Sequence, residues 1–284
     1  MSRNNRDRLG AGTAAPQADI APPVQHAAPS NQAVFTFATP TEFVELPSGG
    51  RFYRDDHPLQ GETTIEIKFM TAKEEDILTS PALLKKGLAI QRLIENVVVN
   101  KDINIDSLLI GDKNALLVAS RITGYGSTYK TNVTCPGCSI NIAHEFDLGE
   151  IGHNSGGITE DNSAYVDETA EGTFIITGLA QTKAAVEVRL LKGVDERRIA
   201  ERLNTRKNHK LTSSPLLEQM RTFIVSVNGN REQTYINSFL ESMPALDSRH
   251  LRRAYASIVP NVDLTQEFEC EECGHETIME VPLT

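Results

Sequence analysis

Cys135-Pro136-Gly137-Cys138 and Cys270-Glu271-Glu272-Cys273 hold all four cysteines of this 284-residue chain, in two CxxC pairs with no thiol left over. Each pair has the bite of a zinc knuckle, and two knuckles close one tetrahedral site. Met1 to Gly10 is polar and Arg-rich, with no apolar signal core, and no apolar run long enough to span a membrane follows. Without export, thiols stay reduced, and paired CxxC motifs read as metal ligands before disulfides. A four-thiolate site suits zinc first and iron second. If Cys135, Cys138, Cys270 and Cys273 fill every position, none is open to water or substrate. The expected cofactor is therefore a structural Zn²⁺.

The flanks of the knuckles predict their setting. Tyr129 to Phe146 alternates on both sides of the first pair, which predicts a β-hairpin with the knuckle at its tip. Gly274 directly follows Cys273 and suits a turn that needs positive φ. Ser139 occupies the matching place after Cys138, with Gly137 expected to relieve that turn earlier. Upstream, Thr64-Ile65-Glu66-Ile67-Lys68-Phe69 has the period of a strand. Thr71-Ala72-Lys73-Glu74 fits a capping box, which opens a helix. Leu83 to Val99 is apolar at helical spacing. Asp112 to Ile122 predicts a second helix with Asp112 as its cap. Residues 149–172, rich in Gly and acids, read as a linker or long loop.

After that segment the order of elements restarts. A shift of 121 lays Ile65-Glu66-Ile67-Lys68 on Val186-Glu187-Val188-Arg189. A shift of 128 lays Gln91, Val97 and Asn100 on Gln219, Val225 and Asn228. A shift of 135 lays Asp112, Leu116 and Ala119 on Asp247, Leu251 and Ala254, and the first knuckle on the second. Shared helical periodicity alone produces some such matches. The cysteine register and the kept element order are harder to obtain that way. The expected fold is α+β: two pseudo-repeated modules, each of strand, helices and CxxC β-hairpin, joined by one zinc-ribbon-like site of four cysteines. The expected organisation is a disordered arm over 1–34, poor in core formers, and an extended docking segment over 35–61. A first module over 62–148, a linker over 149–172 and a second module over 173–284 follow.

Composition narrows the function. The net charge of −10 argues against general nucleic-acid binding. The histidines form no HExxH motif or triad. His275 reads as a solvated hairpin residue before a substitute ligand, His144 as surface or interface, and His57-Pro58 as turn chemistry. Glu74, Glu75 and Asp76 read as dipole partners of a helix start, not an acid–base pair. Gly124-Tyr125-Gly126-Ser127 has the wrong spacing for a phosphate loop and reads as a turn. Arg202, Arg206, Lys207, His209 and Lys210 form a basic stretch in the second module only. It reads as a solvated helix end and loop, or as a surface for an acidic partner.

One set of segments resembles a known family. It comprises Leu46-Pro47-Ser48-Gly49-Gly50-Arg51-Phe52-Tyr53, His57-Pro58-Leu59, Met70-Thr71-Ala72-Lys73-Glu74-Glu75-Asp76-Ile77-Leu78, Leu108-Leu109-Ile110-Gly111-Asp112, Arg121-Ile122-Thr123-Gly124-Tyr125-Gly126, and Tyr129 leading into Thr134-Cys135-Pro136-Gly137-Cys138. Together these resemble the baseplate hub proteins of T-even-type contractile-tailed bacteriophages, most clearly over residues 43–148. The resemblance implies a non-enzymatic structural protein of the baseplate hub, with other phage baseplate and tail hub proteins as partners and no small-molecule substrate. It implies assembly in the host cytoplasm and a place in the virion tail. An assembly chaperone absent from the mature virion is the nearest alternative. A zinc-ribbon nucleic-acid adaptor is a more distant one.

Overall fold

The first strand opens just past the start of the computed structural model, which describes residues 39–208 and 214–283. The arm expected over 1–34, residues 35–38 of the extended segment, and His209 and Lys210 lie outside the described residues. Strand β1 (Thr41–Glu45) pairs antiparallel with β2 (Thr64–Lys68), where Ile65 and Ile67 point into the core. The Ser48–Gly61 segment between them is a chain of tight turns fastened by Ser48 and Tyr53 to residues far ahead.

Helix α1 (Ala72–Thr79) starts at Thr71, whose N–H donates to the Glu74 carboxylate at 3.0 Å and whose hydroxyl also donates to it. The reach-back half of the expected capping box is therefore in place. The helix expected over Leu83 to Val99 is two helices, α2 (Pro81–Lys86) and α3 (Ala89–Val97). Gly87 separates them: at φ 66° it closes α2 in the left-handed conformation that favours glycine. Helix α4 (Ile110–Tyr125) begins two residues before the expected cap. Asp112 is not its cap: it is the third residue of the helix, and its buried carboxylate is taken up by groups distant in sequence. That group accepts from Ser48 N (3.0 Å), Ser48 Oγ (2.7 Å) and the Tyr53 hydroxyl (2.7 Å).

Strands β3 (Thr128–Thr134) and β4 (Asn141–Asp147) form an antiparallel pair around the first CxxC. The segment read as a linker is stitched down. Strand β5 (Gly152–Asn154) pairs with β10 (Asn261–Asp263), and buried Asn162 donates to Gly157 O and Ser257 Oγ. Strands β6 (Val166–Glu168), β7 (Phe174–Ile176), β8 (Val186–Val188) and β9 (Ile224–Val227) form an antiparallel sheet in that order. Helices α5 (Gly193–Asn208) and α6 (Pro215–Phe223) lie between β8 and β9 in sequence. Helices α7 (Gln233–Ser242) and α8 (Ala245–Ile258) follow, then the antiparallel pair β11 (Thr265–Glu269) and β12 (Glu276–Glu280) around the second CxxC.

One apolar core runs through both halves of the body: Ile67, Leu93 and Leu116 belong to the same cluster as Phe174, Val186 and Leu251. Backbone bonds cross it, from Ile110 N to Leu191 O (3.2 Å) and from Gly193 N to Leu108 O (2.9 Å). A second, smaller core is built from the two CxxC strand pairs, with Val133, Phe146, Phe268 and Val281 inside it. The chain thus has an extensive mixed body and a satellite core that carries the cysteines.

Candidate metal centre

Both CxxC turns are built alike. In the first, Cys135 N donates to Ile140 O (2.9 Å) and Ser139 N to Cys135 O (2.8 Å). In the second, Cys270 N donates to His275 O (3.0 Å) and Gly274 N to Cys270 O (2.8 Å). The residue after each second cysteine takes positive φ, 59° at Ser139 and 67° at Gly274. Gly137 does not relieve the first turn, since Ser139 itself adopts the left-handed conformation. What Gly137 provides is room. A Cβ there would lie 2.8 Å from the His275 ring, so its absence lets the opposite knuckle close over it.

The strand pairs bring the knuckles together. Gln266 spans the gap, accepting from Asp147 N (3.2 Å) and donating to Asp147 O (2.6 Å). The Tyr129 hydroxyl donates to Pro282 O at 3.0 Å. His144 sets its ring edge-on to Phe146 and Phe268, one from each pair. It is an interface residue between the two pairs. His57 is held in its turn, with Nδ1 accepting from Leu59 N (3.1 Å) and Nε2 2.7 Å from Ser107 Oγ.

The four sulfurs form a cage. Cys135 Sγ lies 3.8 Å from Cys273 Sγ and Cys138 Sγ 3.9 Å from Cys270 Sγ, and all four ligand atoms fall within 4.8 Å of one another. A disulfide needs sulfurs about 2 Å apart, so these cysteines are unlinked thiols. A tetrahedron of sulfurs about 2.3 Å from a central zinc has edges of about 3.8 Å. The donor set and its spacing therefore fit such an ion. Cys135 and Cys270 are buried, while Cys138 is half-buried and Cys273 exposed, so the cage has a dry side and a wet side.

Protonation points the same way. Burial opposes the Cys135 thiolate, yet N–H donors of Cys138 and Gly137 and the neighbouring thiols outweigh it and draw its pKa down to about 6. At Cys273 a bond from the His275 N–H favours the thiolate, but burial and three adjacent sulfurs push the pKa up to about 12. Cys138 is raised too. Sulfurs this close cannot all ionise without a cation among them, and a thiolate-binding metal removes that conflict.

The remaining candidates stay apart from this cage. Glu74 is buried and salt-bridged to Lys68 at 3.0 Å, a structural role. Arg202 and Arg206 approach Glu218 from α5, and Arg221 approaches it from α6. Sequence reading missed Glu218 as their shared partner. The only signal for it was an acid placed just inside the α6 start.

A family described as T4 bacteriophage base plate protein matches residues 39–282. Neither a curated protein nor a solved structure matches the chain.

Proposed function

The chain belongs to the T4 bacteriophage base plate protein family, and on that premise we propose that it acts in the central hub of the baseplate, assembling it through protein–protein contacts without catalysis. The observation that carries this reading is the extent of the family match, which takes in the whole body and both knuckles. Cys135, Cys138, Cys270 and Cys273 hold a structural Zn²⁺ that fastens one strand pair to the other. Metal analysis of the purified chain is expected to give one zinc per chain. Stoichiometric iron would change the metal, and neither metal would remove the site.

The body is a duplicated module, with the boundaries given above. Asp112 and Asp247 support this beyond the sequence. Each is the third residue of its helix and fully buried. As Asp112 takes the N–H and hydroxyl of Ser48, Asp247 takes those of Thr182, at 2.7 and 2.8 Å. The next residue is left-handed in both cases, Gly49 and Lys183, each at φ 55°.

Mass spectrometry of purified mature particles tests the role. Stoichiometric chain is expected in the tail. Its presence only in assembly intermediates would make it a departing chaperone. A mobility shift with nucleic acid at moderate salt is expected to be blank, and tight salt-dependent binding would revive the adaptor.

A further inference from the structure

The second half of the body carries two segments that the first half lacks at that length. Helix α5 has 16 residues where α1 has 8, and α7 has 10 where the first half has a three-residue 3-10 turn at Ile105–Ser107. Both additions line one cleft of about 940 Å³ between α5, α6 and α7. Five arginines face it against three carboxylates, an excess of two positive charges on a chain whose net charge is −10. Arg198 and Arg202 stand on its exposed rim, and Ile224 and Val225 are part of its lining. The Arg221 Nε is buried and has no hydrogen-bond partner among the described residues.

The opposite charge sits at the other end of the chain. Residues 254–284 contain seven acids and no Lys or Arg. The outer face of β11 and β12 sets Glu269 across from Glu276 and Glu267 across from Ile278, and Ile278 is 70% exposed. Like charges placed directly opposite destabilise a strand pair. Among the described residues none of these acids is in an ion pair. The face is thus a row of carboxylates around one bare apolar residue. The cleft is a rim of arginines with Ile and Val in its lining.

We infer that the arginine cleft of one copy receives the acidic β11–β12 face of a second copy. Two different surfaces meet in this contact, so it is head-to-tail. Such contacts build rings where the rotation closes and filaments where it does not. The inference is independent of the hub assignment.

Charge reversal tests it in the full chain. Sedimentation velocity at low salt should show concentration-dependent association that weakens by about tenfold or more at high salt. Arg198→Glu with Arg202→Glu should abolish it, as should Glu269→Lys with Glu276→Lys. An equal mixture of the two variants pairs the intact face with the intact cleft and the reversed face with the reversed cleft, and should associate although neither variant does so alone. All four changes in one chain should restore association. Unchanged zinc content and melting would show that the variants fold. A chain that stays monomeric at every concentration and salt overturns the contact and leaves the hub assignment standing. Association that survives either pair of substitutions overturns it too. Loss through the cleft variant alone would mean that the cleft takes another acidic surface, and would equally overturn the second copy as occupant.

Discussion

Asp112 shows how much one buried carboxylate can organise. It joins the start of α4 to Ser48, 64 residues earlier, and to Tyr53, whose hydroxyl also accepts the Leu109 N–H at 3.1 Å. Replacement by Ala would leave three buried donors without a partner. The expected cost is about 2–4 kcal/mol, from the loss of hydrogen bonds to a charged group, read as a lower urea midpoint at unchanged m-value. Tyr53→Phe should cost about 1–3 kcal/mol, since the carboxylate keeps Ser48 but the buried Leu109 N–H loses its acceptor. Glu74 gives a pH signature. Burial raises its pKa, but bonds from Thr71 and Lys68 outweigh this and hold it down to about 2. A depressed folded pKa contributes stability that is complete above the unfolded value, about 4.3, and is lost as pH falls toward about 2. Thermal melts between those limits should therefore decline less steeply for Glu74→Gln than for the parent chain. The Thr71–Glu74 contact was legible because both partners lie within one helical turn. The role of Asp112 was not: an acid near a helix start resembles a cap until its distant partners are seen.

At the scale of elements, local patterns carried far and long-range pairings did not. The alternation of Thr64 to Lys68 and of Tyr129 to Phe146 marked strands because each buries one face. The break at Gly87 hid inside a run of apolar residues whose spacing continues through it. The pairing of Gly152–Asn154 with Asn261–Asp263 had no local signal, since three-residue strands are too short to show a period. The cysteine pairs were legible as a set because metal ligation restricts residue type and spacing together. What they fasten is a satellite core, separate from the apolar core of the body. Stripping the metal with a strong chelator should therefore loosen the CxxC strand pairs before the body. Hydrogen exchange should rise over 128–147 and 265–280, while 89–97 and 186–188 stay protected. Equal loss of protection in all four segments would instead make the metal a clasp for the whole molecule. The turn itself offers a milder probe. Gly274→Ala places a Cβ on a left-handed residue, at about 1 kcal/mol, and should lower zinc affinity with no change in protection of the body.

For the whole molecule, the question is whether each half can stand alone. Apolar residues of both halves make one cluster, in which Leu108 and Leu109 of the first meet Leu190 and Leu191 of the second. Leu109 bridges Lys192 as a strand pair would, and Arg197 of α5 holds Asp106 of the first half at 2.7 and 2.9 Å. A chain cut within 149–172 would expose those apolar faces to water, at about 25 cal/mol for each Å² uncovered. It would also leave the backbone groups of Leu108, Ile110, Leu191 and Gly193 without their partners. A domain is stable by only about 5–15 kcal/mol, so neither piece should keep a cooperative melt. Expressed separately, residues 39–150 and 151–283 should each show broad, non-cooperative unfolding by circular dichroism. Mixed in the presence of zinc, they should recover a single transition, because the shared core and the four-cysteine cage both need the two pieces together. A sharp melt from either piece alone would show instead that the halves are independent domains. The cage would then be their principal bond, and metal removal would separate them.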